Sequence, residues 1–202
     1  MAGIRARRHS RPPVVGGGVL FRVKLDCLPG LRWRAGRLTG GVESAGLRRA
    51  YDEVLAEVDA GRFESPGGGG LSAAQIVAHL AVNDELMSEA TEAVLAGSPF
   101  AYYDLETVHR PQLDALVVER GGLYGLATLL RATSLRLCAL VDRLDPVAAQ
   151  TPVDTRLHED VDLRVDEALP WARVLDLHAR VHLPKHLAQL RALRPEFDSH
   201  RR

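Results

Sequence analysis

The 202-residue chain is poor in several features that would settle its class at once. It has two cysteines, Cys27 and Cys138, too few for a disulfide scaffold and not spaced as a C-x-x-C metal knuckle. Such sparing cysteine use fits a reducing compartment, and the expected location is the cytoplasm. No apolar run approaches the ~18 residues of a membrane-spanning helix, so no membrane partner is expected. Net charge is lacking too, with 26 basic residues against 26 acidic ones, which argues against a phosphate-rich partner. Only Lys24 and Lys185 among the basic residues are lysines, a bias read as coding composition. No Gly-x-Ser-x-Gly elbow is present, which removes an α/β-hydrolase site. The glycine run Gly67–Gly70 lacks the Gly-Lys-Ser/Thr ending of a phosphate-binding loop.

The neutral total conceals two unlike parts. Residues 1–42 hold nine basic groups and one acid, Asp26, for a charge of +8, leaving 17 basic and 25 acidic groups and −8 for the rest. The leader carries Pro12-Pro13, Gly16-Gly17-Gly18 and Gly40-Gly41, with no periodicity long enough for an element. Its apolar stretch is too interrupted for a signal peptide, and it is neither Ser-rich nor amphipathic as a transit peptide is. It reads as a disordered extension or an over-extended start, with an arginine arm for nucleic acid as the competing reading.

From residue 43 the apolar positions recur at helical spacing. Leu47, Tyr51, Val54, Leu55 and Val58 form one stripe, with Gly61 as a stop. Ser72 with Gln75 makes a capping box, and Leu71 with Ile76 a hydrophobic staple, opening a helix that runs to about Ala96. A short helix follows Pro111. A third stripe runs from Leu126 to Leu144 and is closed by Asp145-Pro146, and a last helix begins near Pro170. Residues 151–166, rich in Val, Asp and Thr, suit a small β-hairpin. The expected architecture is therefore all-α: a four-helix bundle over 43–195 with a long crossover connection, and a tail over 196–202.

Four of the eight histidines fall on inward faces. His79 lies on the second helix in line with Ile76, Asn83 and Met87. His178, His182 and His186 are spaced i, i+4, i+8 on the last helix and share one face. Two readings compete. Each imidazole can be a hydrogen-bonded core residue. Alternatively, histidines four apart chelate one ion, and a third imidazole from the facing helix completes a three-ligand site with open positions. Pro184, between His182 and His186, either kinks the helix or marks a junction. No general base stands out: Asp84 and Glu85 are expected on a solvated face, and Asp176 points away from His178. Cys138 reads as a small core residue. His9, His109, His158 and His200 are expected in solvated loops or tails.

Two segments carry a family resemblance. Leu71–Leu80 (LSAAQIVAHL) and His182–Leu190 (HLPKHLAQL) resemble the second-helix opening and the H-x-x-x-H-x-x-Q-L ending of the DinB/YfiT-like superfamily. That group includes the N-terminal domain of mycothiol-dependent maleylpyruvate isomerases. The resemblance covers roughly residues 43–195. It implies a four-helix bundle holding a divalent metal, zinc or nickel, on His79, His182 and His186. His178 falls outside that triad, as an additional ligand, a residue behind the ligands or a core residue. Relatives of the isomerase type often carry glutamate where this chain has His182. The resemblance also implies chemistry on a small electrophile, with mycothiol or a similar low-molecular-weight thiol, or water, activated for transfer, isomerisation or hydrolysis. The alternative is a non-catalytic bundle that binds metal or a small ligand. Expected partners are a small-molecule substrate and a second copy of the chain. N-terminal sequencing of the native protein should find a start near Val42, with an acidic isoelectric point; a start at Met1 overturns the over-extended reading.

Overall fold

The computed structural model describes residues 44–104, 109–159 and 162–195; the leader and tail expected from the sequence lie outside the described residues. Helix α1 (Ser44–Ala60) buries Leu47, Tyr51, Val54 and Val58 along one stripe and stops where Gly61 turns to φ +60. Helix α2 (Ala73–Leu95) starts on the full capping box. The Ser72 hydroxyl accepts from the Gln75 N–H at 3.2 Å, and the Gln75 side-chain oxygen accepts from the Ser72 N–H at 2.8 Å. From Ile76 to Ala81 every side chain of α2 is buried, so this stretch is enclosed on all sides, while Glu85, Glu89 and Glu92 keep one face of the second half exposed.

Helix α3 (Arg110–Glu119), with Pro111 in its first turn, is anchored by Leu113 and tied to α2 where Gln75 donates to Asp114 at 2.6 Å. Helix α4 (Leu123–Val141) packs on α2 and α1, and α1 also packs on the end of the chain. Contrary to the sequence expectation, α4 is long and apolar enough to cross a membrane by composition; half of it is buried inside the bundle, and it keeps Arg131 and Arg136 on the outside, paired with Asp59 and Glu92. A single turn, α5 (Pro146–Ala149), is capped by Asp145, which accepts from the Val147 and Ala148 N–H groups at 2.8 Å.

The connection to the last helix carries the hairpin. Strands β2 (Pro152–Glu159) and β3 (Asp162–Pro170) are antiparallel with a bulge at Leu157/His158, and the two-residue β1 (Tyr102–Tyr103) adds in parallel to β2. The hairpin therefore reaches Pro170, four residues past the expected limit. Its base is fixed by Trp171, which donates its backbone N–H to Thr151 O and its indole N–H to the Thr91 hydroxyl, both at 3.0 Å. The Tyr102 ring packs edge-on against Trp171 at 5.5 Å.

The last helix is continuous but not uniform. It runs as α6 (Trp171–Leu177), a π-helical turn over His178–His182, and α7 (Leu183–Ala192). The Leu183 N–H reaches back five residues to His178 O. Pro184, which has no N–H to give, follows at once, so the wide turn ends where the proline begins. The result is an all-α bundle of α1, α2, α4 and α6–α7 with a small β element. Replacing the cap, Ser72→Ala, is expected to cost about 1 kcal/mol in urea unfolding; an unchanged midpoint would refute the cap's role.

Candidate metal centre

The π turn decides how three histidines of one helix are aimed. The His182 Nε2 atom lies 2.9 Å from His79 Nε2, on α2, and 3.1 Å from His186 Nε2, on α7. The three rings meet edge to face, with centroids 4.6–5.0 Å apart. His79 and His186 are buried, at 3% and 6% exposure, while His182 is half-buried. Among the described residues these three form a group whose donor atoms all lie within 4.8 Å of one another.

The donor set can be tested against a metal by counting protons. Nitrogens that share one ion at about 2.0–2.1 Å lie within roughly 4.2 Å of one another, and the two measured separations meet that limit. His186 Nδ1 is 2.7 Å from the Gln189 side-chain oxygen. An amide oxygen only accepts, so Nδ1 carries the proton and Nε2 presents a lone pair inward. His182 Nε2 has two inward neighbours, and a proton there could serve only one of them. The residues present therefore fit a divalent ion. Burial is the main force lowering the affinity of His182 and His186 for a second proton, with the adjacent imidazoles adding to it. His182 is driven well below its ordinary value and His186 to about 3. Both are neutral donors at pH 7.

His178 lies behind His182 rather than in the triad. Its Nδ1 is 2.9 Å from His182 Nδ1, and its Nε2 is 2.8 Å from the Tyr51 hydroxyl. Tyr51, on α1, donates to Asp84 Oδ1 at 2.5 Å, and Thr133, on α4, donates to Asp84 Oδ2 at 3.1 Å. Asn83 approaches His178 Nδ1 at 3.4 Å and accepts from the Tyr102 hydroxyl at 2.7 Å. Here the sequence reading needs correction: Asp84 is fully buried, not solvated. Tyr51 and Thr133 donate to it, and His178 Nε2 lies 3.5 Å from its Oδ1. Burial raises its carboxyl pKa, while the hydrogen bonds from His178, Tyr51 and Thr133 work against that rise. Glu85 is exposed as expected.

The remaining sequence candidates fall elsewhere. His158 is not a solvated loop residue but lies on β2, where its Nδ1 is hydrogen-bonded to Asp104 Oδ1 at 2.8 Å. His109 is exposed, His9 and His200 lie outside the described residues, and Asp176 pairs with Arg173 and Arg180. Cys138 is buried in the core, and burial pushes its thiol up to about 11. Tyr51 was legible only as a core position, because its stripe spacing gives no sign that its hydroxyl reaches across the bundle.

Fold and site together define a class: an all-α bundle with a small β element and a buried histidine triad able to hold a metal ion. Among solved structures the chain is similar to the crystal structure of the mycothiol-dependent maleylpyruvate isomerase, with a TM-score of 0.56 and 16% identity over 73% of this chain. That match spans 58% of the isomerase's length, so the chain corresponds to less than two thirds of it. The likeness shows a shared fold. No family model and no curated protein matches the chain.

Protonation of the buried donors sets a pH prediction for the metal-free protein. An unfolded histidine titrates near 6.5, whereas His186 in the fold titrates near 3. Between those values the unfolded chain binds the extra proton, so stability falls as pH drops from 6.5 toward 3 and is level above 6.5. For His186 alone the loss is about 1.4 kcal/mol per pH unit. His182 acts in the same direction, and the raised carboxyls of Asp84 and Asp104 act in the opposite one. Metal-free wild type should therefore lose more melting temperature between pH 7.5 and pH 5 than His186→Gln does, and equal losses would contradict the burial of a neutral imidazole at position 186.

Proposed function

We propose that this chain is a divalent-metal-dependent enzyme of the DinB/YfiT-like type, acting on a small electrophile with a low-molecular-weight thiol or water as nucleophile. The convergence of three imidazoles on one point, His79 from α2 and His182 and His186 from the last helix, carries the reading. The fold shared with a mycothiol-dependent isomerase supports a thiol of the mycothiol type as the co-reactant. All-nitrogen ligation suits zinc or nickel.

A bound ion would supply Lewis acidity, lowering the pKa of a coordinated thiol or water toward neutrality. The chain's own residues do the rest. His79, His182 and His186 would hold the ion and bring no negative charge of their own. Gln189 holds the His186 proton on Nδ1, so the inward nitrogen stays free to ligate. The half-buried His182 marks the accessible side. In this reading residues 43–195 are the working unit, in the cytoplasm, with a small-molecule substrate and a second copy of the chain as partners and without nucleic acid or membrane.

A non-catalytic metal-binding bundle is the second reading. Its supporting observation is that two clefts among the described residues, of about 200 and 190 Å³, are lined by residues other than the triad. Glu85, Ser88 and Arg136 border one, and Tyr103 and Arg156 the other. Elemental analysis of freshly purified, chelator-free protein should find one metal per chain, lost in His79→Ala and His186→Ala. Absence of stoichiometric metal in the wild type would sink both readings. Turnover of small electrophiles that requires mycothiol and disappears in both variants supports the enzyme; metal without turnover, with or without thiol, supports the second reading.

A further inference from the structure

With Asp84 ionised, the protons on the chain behind His182 can be placed from the far end. Burial and the neighbouring Asp84 raise the Tyr51 hydroxyl well above its ordinary value, so it keeps its proton and gives it to Asp84 Oδ1. The Tyr51 oxygen is then an acceptor for His178 Nε2, 2.8 Å away. With its proton on Nε2, His178 presents a lone pair at Nδ1. Two donors face that lone pair: the Asn83 amide at 3.4 Å, with its oxygen engaged by Tyr102, and His182 Nδ1 at 2.9 Å. His182 therefore carries its proton on Nδ1 and leaves Nε2 bare toward His79 and His186. Running the chain the other way requires a protonated Asp84 and sets the His178 Nδ1 proton against the Asn83 amide, whose orientation Tyr102 fixes, at the cost of a buried hydrogen bond. In the arrangement given, the bare Nε2 atoms of His182 and His186, 3.1 Å apart, are the pair a shared cation satisfies.

The geometry points to His178 as a positioning residue: the Asp84–Tyr51–His178 chain fixes the tautomer and ring orientation of His182 and so sets the metal affinity of the triad. This rests on the metal-centre reading. It is a longer form of the arrangement in which a carboxylate holds a ligand imidazole through its second nitrogen. Here a second imidazole stands between carboxylate and ligand, with the Tyr51 hydroxyl bonded to both it and Asp84, which lies 3.5 Å from His178 Nε2, and three helices contribute: Tyr51 from α1, Asp84 from α2, and His178 from the π turn itself. The π turn supplies the element that makes the contact, because His178 and His182 are its two ends.

The test combines imidazole nitrogen shifts of metal-free, ¹⁵N-labelled protein with zinc affinity by chelator competition. The proteins are wild type, His178→Leu, His178→Gln and Tyr51→Phe, each checked for folding by circular dichroism. Wild type should show His182 protonated on Nδ1 and His178 on Nε2. His178→Leu should lose the single His182 tautomer and bind zinc about 10–100-fold more weakly at unchanged stoichiometry. Glutamine can accept from His182 Nδ1 and donate to Tyr51, so His178→Gln should restore affinity to within about threefold of wild type. Tyr51→Phe should fall between the two. Wild-type His182 protonated on Nε2 overturns the inference, as does a glutamine variant as weak as the leucine one, or a leucine variant that binds like wild type. Should His178→Leu fail to fold, the wild-type tautomers and the glutamine variant still decide the matter. Should wild type take up no zinc, the metal-centre reading falls, and the His182 tautomer alone then supports or overturns the positioning role.

Discussion

Everything in the centre of this bundle follows from the cost of placing imidazoles in a dry core. A buried polar group without a partner costs about 1–3 kcal/mol, and His79, His178 and His186 are all buried. Each ring brings one donor and one acceptor that must be met. Outward-facing nitrogens are met by Gln189 for His186 and by Tyr51 for His178. The inward nitrogens are met by one another or by a shared ion. Hence Tyr51, Asp84, Asn83, Tyr102 and Thr133, spread over α1, α2, β1 and α4, are drawn into one polar array rather than packed as separate core residues.

That array also explains why α2 is enclosed from Ile76 to Ala81. A helix presenting His79 and Asn83 to the last helix, and Asp84 to α1 and α4, needs neighbours on more than one face. Helix α4 and α1 supply the donors for Asp84, and the hairpin and β1 bring Tyr102 against Asn83 and Trp171 against Thr91. The small β element is thus part of the site's support: through Tyr102 it orients the amide that faces His178.

Much of this was legible in the sequence where a local rule suffices. Ser72 with Gln75, the stripe from Leu47 to Val58 and the stop at Gly61 act within a few residues, and each is found where the pattern places it. The four inward histidines were legible as a group for the same reason, since helical spacing sets a common face. Three things were not legible, each because it depends on distant chain. Asp84 next to Glu85 looks like a charged surface pair, and only the packing of α1 and α4 over α2 buries one and leaves the other out. The apolar run from Ile76 to Val82, interrupted by His79 alone, is the sequence sign of an enclosed stretch. His158 escaped its loop because the hairpin runs longer than expected. The i, i+4, i+8 spacing could not separate His178 from the triad, because an α-helix treats all three alike and only the π turn between His178 and His182 distinguishes them.

Pro184 ties these points together. In a regular helix its missing N–H would leave a carbonyl of the preceding turn unpaired inside the bundle, and its ring would press on that turn. Widening the turn before it moves the Leu183 N–H onto His178 O, which relieves the crowding and keeps a backbone bond across the irregularity. The same widening rotates His182 relative to His178, so one ring can offer Nε2 to His79 and His186 while turning Nδ1 back to its neighbour. A local backbone constraint and a polar requirement are met by one extra residue in one turn. Straightening that turn would close the backbone ladder at the expense of aiming His182 at one neighbour only. The irregularity is therefore the arrangement in which both the proline and the four imidazoles find their partners.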